Sequence, residues 1–307
     1  MEWNLFKRRK FSMAKEIKGV VVPVVTPFHQ DETINEPALR QIVNYLIENG
    51  VHGLFPSGSQ GELFALTTDE KKRVMDIVLE ESNGRVFVMP STGAITTRES
   101  IELSRYAERA GADAISVITP YFIKPSDEEL REHYLRIAES VSIPVLAYNN
   151  PGRTGVHLSP AVVAAIAEEA ENFIGIKDSS GDLTNTLSYI SSCPPSFRTF
   201  MGRDTLIYAG LCYGCVGTVA ASANVVPELV VGIYEAFMAG DHALALERQK
   251  KLAPLRHAFT LGSFPVVVKD AMELIGLPAG PCRTPIKSLT GEKRQKLIAI
   301  LKDLGKL

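Results

Sequence analysis

The sequence predicts an α/β protein, a (β/α)8 TIM barrel with a C-terminal three-helix appendage, and three observations predict it. Short β-branched runs recur about every 30 residues, each followed by a segment of helical period, and that alternation builds a parallel sheet. Eight such runs favour a closed barrel over an open sheet. The first run leads into Thr26-Pro27-Phe28-His29, not the glycine-rich turn that a Rossmann-type sheet would place there.

The predicted strands cover residues 19–26, 53–55, 86–91, 114–118, 145–149, 174–177, 199–201 and 216–220. Amphipathic helices are expected over 36–48, 69–81, 98–109, 127–141 and 160–169. Thr68-Asp69-Glu70, Ser126 with Glu129, and Ser159-Pro160 mark helix starts. Asn49-Gly50 and Ala110-Gly111 mark helix ends. After about residue 240 the strands stop, and helices follow over 241–257, 265–275 and 290–304. The expected division is an N-terminal extension at 1–17, a catalytic barrel at 18–239 and a helical region at 240–307. Met13 opens a stretch that reads as a natural start, so residues 1–12 are set aside. The basic cluster Lys7-Arg8-Arg9-Lys10 there reads as a solvated tail.

A hydrophobic content of 45% suits a chain that buries an ordinary globular core. The net charge of -2 offers no global field for nucleic acid or a membrane surface. No apolar run approaches the roughly 18–20 residues that span a bilayer, and no signal peptide is evident, so the expected compartment is the cytoplasm. Cys193, Cys212, Cys215 and Cys282 are too few for a disulfide scaffold. Cys212 and Cys215 have CxxC spacing, but no second pair or nearby histidine completes a metal site, and they read as buried structural thiols.

Barrel enzymes work at the C-terminal ends of their strands. The sixth strand ends in Gly175-Ile176-Lys177-Asp178, and a period of two turns Ile174 and Ile176 to the helices and Gly175 and Lys177 inward. Desolvation there disfavours an ammonium and favours a neutral amine able to attack a carbonyl, with Gly175 leaving room for a small ligand. The segment alone leaves a second reading open, a strand-end lysine paired with Asp178. On the fifth strand Tyr148 shares the inward parity of Leu146, and its phenol is placed to relay protons. Its alternative is a core aromatic with a satisfied hydroxyl. Arg153, in the following Pro-Gly loop, can grip a carboxylate or remain a solvated loop charge. After the second strand, Gly58-Ser59-Gln60-Gly61-Glu62 forms a tight turn whose free N–H groups suit a carboxylate.

Together, GSQGE at 58–62, YNNPGRTG at 148–155 and GIKDSSGD at 175–182 resemble the dihydrodipicolinate synthase / N-acetylneuraminate lyase family. The likeness runs from about Lys18 to the C-terminus, and Gly280 to Pro285 resembles the tail of its lyase and aldolase branches. The resemblance implies that Lys177 forms a Schiff base with a 2-keto acid, pyruvate first among them, and that Tyr148 is the proton-relay tyrosine. It implies a keto-acid carboxylate pocket built from Ser59, Gln60 and backbone N–H groups. It also places backbone groups of Gly202 and Val219 near the substrate. The implied enzyme is a class I carbon–carbon or carbon–oxygen lyase needing no metal or organic cofactor, and a homotetramer.

Several residues bear on the second substrate. Family synthases usually carry two threonines where this chain has Ser59-Gln60, and a subunit-crossing tyrosine where it has Phe122. Both departures argue against the lysine-pathway synthase. Arg153 matches an arginine the synthases use for an acidic aldehyde and so points the other way. Asp204-Thr205 departs from the neuraminate-lyase pattern. The leading expectation is aldol cleavage or condensation between pyruvate and an aldehyde on 2-keto-3-deoxy acids, with an acidic aldehyde partner suggested by Arg153. The alternative is an authentic 4-hydroxy-tetrahydrodipicolinate synthase with an altered relay. A keto-deoxy acid dehydratase and an inactive keto-acid sensor stand behind these.

Overall fold

In the computed structural model, residues 15–307 are described, and the stretch 1–12 with its basic cluster lies outside them. In chain order the elements are β1 (Gly19–Val22), α1 (Glu36–Glu48), β2 (Gly53–Leu54), α2 (Thr68–Ser82), β3 (Phe87–Val88) and α3 (Thr97–Ala110). Next come β4 (Ile115–Ile118), α4 (Asp127–Glu139), β5 (Val145–Asn149), α5 (Pro151–Thr154), α6 (Pro160–Glu169), β6 (Phe173–Asp178) and α7 (Leu183–Ser192). The chain ends with β7 (Arg198–Met201), α8 (Ile207–Cys212), β8 (Gly217–Val219), α9 (Pro227–Met238), α10 (His242–Ala258), α11 (Val266–Leu274) and α12 (Gly291–Asp303).

All neighbouring strands are parallel, in the order β3-β2-β1-β8-β7-β6-β5-β4. A parallel bridge between Ser91 and Ser116 joins the two ends and closes the ring. Several strands are shorter than the β-branched runs predict. Pro23 and Pro90 follow β1 and β3 closely, and a residue without N–H cannot extend a ladder.

Val21, Phe55, Phe87, Leu146 and Phe200 fill the ring, while two larger apolar clusters fill the space between sheet and helices. Ile17, inside the stretch 1–17, is buried in the same interior cluster. Capping follows the expected chemistry with one shift. The N-cap of α2 is Thr67, not Thr68, and Glu70 closes its capping box. Ser126 with Glu129 and Ser159 cap α4 and α6 as read.

Three expectations need correction. Ile174 packs against the barrel interior, not the helices. The β5–β6 register slips so that Val145 faces Phe173 but Leu146 faces Gly175, and the extra residue resets the alternation. Gly175 leaves no room for a ligand, because a Cβ there would collide with the Arg198 carbonyl of β7; the glycine lets two strands approach. Cys212 is exposed at the end of α8, whereas Cys193, Cys215 and Cys282 are buried.

The C-terminal helices reach the catalytic end of the barrel. Lys269 of α11 and Glu62 of the 58–62 turn form a fully buried ion pair, with Nζ 2.9 Å from Oε1. The same ammonium donates to the carbonyls of Thr26 (2.8 Å) and Pro281 (2.6 Å), and Glu62 also accepts the Arg283 N–H at 3.1 Å. One ion pair thus joins the loop after β1, the 58–62 turn and the C-terminal segment. Removing one partner strands a buried charge, so Lys269→Met is expected to lower the unfolding free energy by about 3–5 kcal/mol in urea denaturation. Adding Glu62→Gln should recover part of that loss, and a single variant within about 1 kcal/mol of wild type would contradict the assignment.

Candidate active site

The register between β5 and β6 pairs Tyr148 with Lys177, and both side chains point into the ring. Lys177 is 4% exposed. Its Nζ lies 3.8 Å from the Tyr148 ring centroid and 4.7 Å from that of Phe55. Aromatic faces attract an amino head group and hold it in place.

Asp178 does not pair with Lys177. As the next residue on the strand it points to the opposite side, where five donors hold its buried carboxylate. Asn149 Nδ2 and the Ser180 N–H reach Oδ1, each at 3.0 Å. Ser180 Oγ (2.9 Å), Asn185 Nδ2 (3.2 Å) and Thr186 Oγ1 (2.7 Å) reach Oδ2. Among the described residues no carboxylate lies within ion-pair distance of Lys177 Nζ. The ion-paired reading left open by the sequence is thus closed.

Tyr148 is buried, and its oxygen accepts a hydrogen bond from Asn150 Nδ2 at 2.8 Å. Burial pushes the phenol up, but Lys177 and the polar groups of Ser59, Ser179 and Asn150 together outweigh it. The hydroxyl therefore sits below the ordinary tyrosine value. A phenol with that bias, beside an unpaired amine, is equipped to exchange protons with it.

Lys177, Tyr148, Ser59, Gln60, Arg153, Gly202 and Val219 all line one cavity of about 400 Å3 at the C-terminal ends of the strands. Gln60 donates through Nε2 to the Pro265 carbonyl at 3.3 Å, and its buried Oε1 has no partner. Only the amide nitrogen can face that carbonyl, which fixes the amide with Oε1 buried and unpartnered. The backbone N–H groups of Ser59 and Gln60 make no backbone hydrogen bond among the described residues, which leaves donors for a carboxylate. At Gly202 a Cβ would strike the Ser179 hydroxyl and the Asp178 carbonyl; the glycine N–H donates to that carbonyl at 2.7 Å. Arg153 is exposed, its guanidinium 4.2 Å from the Phe264 ring centroid.

Sequence reasoning missed Asn150, Ser179, Phe55, Arg203, Arg256, Phe259 and Phe264. Asn150 and Ser179 sit inside the motifs already quoted, so proximity to Tyr148 and Lys177 was an available signal. Arg256, Phe259 and Phe264 come from the helical region and carry no strand-end signature.

The sequence profile of the dihydrodipicolinate synthetase family matches residues 16–304. The 4-hydroxy-tetrahydrodipicolinate synthase of Methanopyrus kandleri is 42% identical over 296 residues, covering 96% of this chain and 99% of that one. An uncharacterized DapA-like lyase of Halobacterium salinarum is 40% identical over 291 residues and covers 95% of each chain. The crystal structure of YagE, a prophage protein of the dihydrodipicolinic acid synthase family from E. coli K12 in complex with pyruvate, aligns with a TM-score of 0.92. That pair is 33% identical over 95% of this chain and 99% of the other.

If the Asn150 amide helps hold the Tyr148 hydroxyl down, Asn150→Leu should raise the pH at which Tyr148 titrates. Carbon-13 NMR of ring-labelled protein, with Tyr148→Phe identifying the resonance, reads this directly. An unmoved titration would show that the Asn150 amide does not hold the hydroxyl down.

Proposed function

The chain belongs to the dihydrodipicolinate synthetase family of class I Schiff-base lyases, and from that premise we propose that Lys177 holds pyruvate while an aldehyde adds to it or leaves it. The observation that carries this reading is the buried Lys177 amine, packed on two aromatic rings with its neighbouring carboxylate turned away. Such an amine is available to attack a carbonyl.

The nitrogen adds to C2 of pyruvate, and loss of water gives an iminium. The iminium withdraws electrons, so C3 releases a proton and an enamine forms. The enamine carbon attacks the aldehyde carbon, the new alkoxide takes a proton, and water frees the product and the lysine. Tyr148 is the group placed to carry these protons. The keto-acid carboxylate is assigned to Ser59 and the N–H groups of residues 59 and 60. Gln60 is assigned a shaping role through Pro265 and its free Oε1, while Gly202 and Val219 supply wall and backbone. Arg153 favours an acidic aldehyde partner. Neither a metal nor an organic cofactor enters this cycle.

A second reading, an authentic 4-hydroxy-tetrahydrodipicolinate synthase using pyruvate and aspartate semialdehyde, draws support from the name of the Methanopyrus kandleri relative and from Arg153. Against it stands Phe122, where a relay tyrosine would be needed; a phenyl ring passes no proton. Phe122 is 93% exposed at φ +74°, and Ile123 beside it is exposed too. An apolar tip held in left-handed backbone favours burial against a second copy, in line with a homo-oligomer, a tetramer by family resemblance. Among the described residues no helix is long and apolar enough to cross a membrane, and the cytoplasm is the compartment we assign.

Borohydride with pyruvate should trap a covalent adduct on Lys177, seen by mass spectrometry and absent in Lys177→Ala. An adduct elsewhere, or none with any keto acid, would sink the mechanism. Aspartate semialdehyde assayed beside a panel of aldehydes separates the two readings. Turnover with the semialdehyde equal to the best aldehyde would favour the synthase.

A further inference from the structure

Three guanidinium groups converge on the outer part of the catalytic cavity, from the loop after β5 (Arg153), the end of β7 (Arg203) and the last turn of α10 (Arg256). Among the described residues, none of the three has a carboxylate within ion-pair distance or a side-chain hydrogen bond to another group. That contrasts with Arg40, Arg73, Arg131 and Arg283, each paired with a glutamate. Two of the three are fixed by stacking instead, Arg153 on Phe264 at 4.2 Å and Arg256 on Phe259 at 4.9 Å, which leaves their N–H edges free. Arg203 is half-buried over Gly181, and its Nε is a buried nitrogen with no partner. The nearest acid in sequence, Asp204, is committed elsewhere: Oδ2 accepts from the Ser222 N–H at 2.7 Å and from the Ser222 hydroxyl at 2.5 Å. Gathering like charges around a half-buried space without counter-charge is unfavourable unless an anion enters. Partial desolvation of their guanidinium groups, with repulsion from Arg256 added, pushes both Arg153 and Arg203 below the ordinary arginine value.

Arg203, Arg256 and Thr260 also line a neighbouring depression with Gly181, Thr205 and His257. The arginine pair therefore stands at the junction between the Lys177 cavity and a second depression that Arg153 does not line. We propose that Arg203 and Arg256 form an anion subsite for the far end of the aldehyde substrate, so that the enzyme prefers aldehydes carrying a terminal carboxylate or phosphate over neutral ones of equal length. This rests on the reading that pyruvate occupies Lys177, and it goes beyond Arg153 by naming the residues that read the far end of the chain.

Matched aldehyde pairs test it with pyruvate as the other substrate: succinic semialdehyde against butanal for a carboxylate, and glyceraldehyde 3-phosphate against glyceraldehyde for a phosphate. Wild-type enzyme should favour the charged member of at least one pair by roughly 100-fold in kcat/KM, and the larger ratio identifies the anion. In Arg203→Gln/Arg256→Gln that ratio should fall by roughly tenfold or more. No charged preference in wild type, or a ratio within about twofold of wild type in the double variant, overturns the proposal. A second measurement does not depend on the Schiff base. Inorganic phosphate should raise the Tm of wild type and not of the double variant; an equal rise in both, or none in wild type, overturns the subsite. Failure to trap pyruvate on Lys177 would overturn the catalytic reading while leaving the phosphate result to decide the subsite.

Discussion

The catalytic end of this barrel depends on where one carboxylate points. Asp178 follows Lys177 on the same strand, and a pairing of the two would leave the lysine an inert half of an ion pair. Five donors from Asn149, Ser180, Asn185 and Thr186 hold the carboxylate on the far side of β6 instead. A buried carboxylate accepts such a cage readily, because each donor restores part of the hydration lost on burial. The same cage anchors the start of α7 to the end of β6, so holding the acid away and shaping the loop beyond Lys177 are one act. What remains in the cavity is an amine whose near neighbours are aromatic faces and a phenol.

The helical region completes the site and does not merely brace it. Lys269 and Glu62 clamp the 58–62 turn, and Pro265 orients the Gln60 amide. Arg256, Phe259 and Phe264 close the cavity from the side. Ser57, just before the turn, and Glu62, at its end, hold left-handed backbone at φ +56° and +60°, a conformation ordinary residues hold only when their surroundings enforce it. A buried ion pair supplies that enforcement directly at Glu62. The turn that carries the free N–H groups of Ser59 and Gln60 thus depends on residues some 200 positions later in the chain.

The inward parity of Tyr148 and of Lys177 was legible in the sequence, because a strand's alternation is a local property; their meeting is set by the β5–β6 register. The β6 register slip was not legible, since it arises between two strands, and Ile174 was misread for that reason. Gly175 was misread because its close neighbour, the Arg198 carbonyl, lies on β7. The residues of β6 alone left the choice between nucleophile and ion pair at Lys177 open, and only the family resemblance favoured the nucleophile. The direction of Asp178 is set by partners up to 29 residues away. Glu62 and Lys269 lie 207 positions apart and follow no local pattern. Nothing in the local sequence marks Arg203 and Arg256; the fold shows that, among the described residues, neither has an acid within ion-pair distance.

The proposed chemistry requires Lys177 to take the keto acid while Asp178 stays in its cage. A crystal structure of the protein soaked with pyruvate tests both halves at once. The predicted result is continuous electron density from Lys177 Nζ to C2 of the keto acid, its carboxylate at the N–H groups of residues 59 and 60, and Asp178 still bound by its five donors. Pyruvate seated without a covalent link, or Asp178 swung round to pair with Lys177, would contradict it.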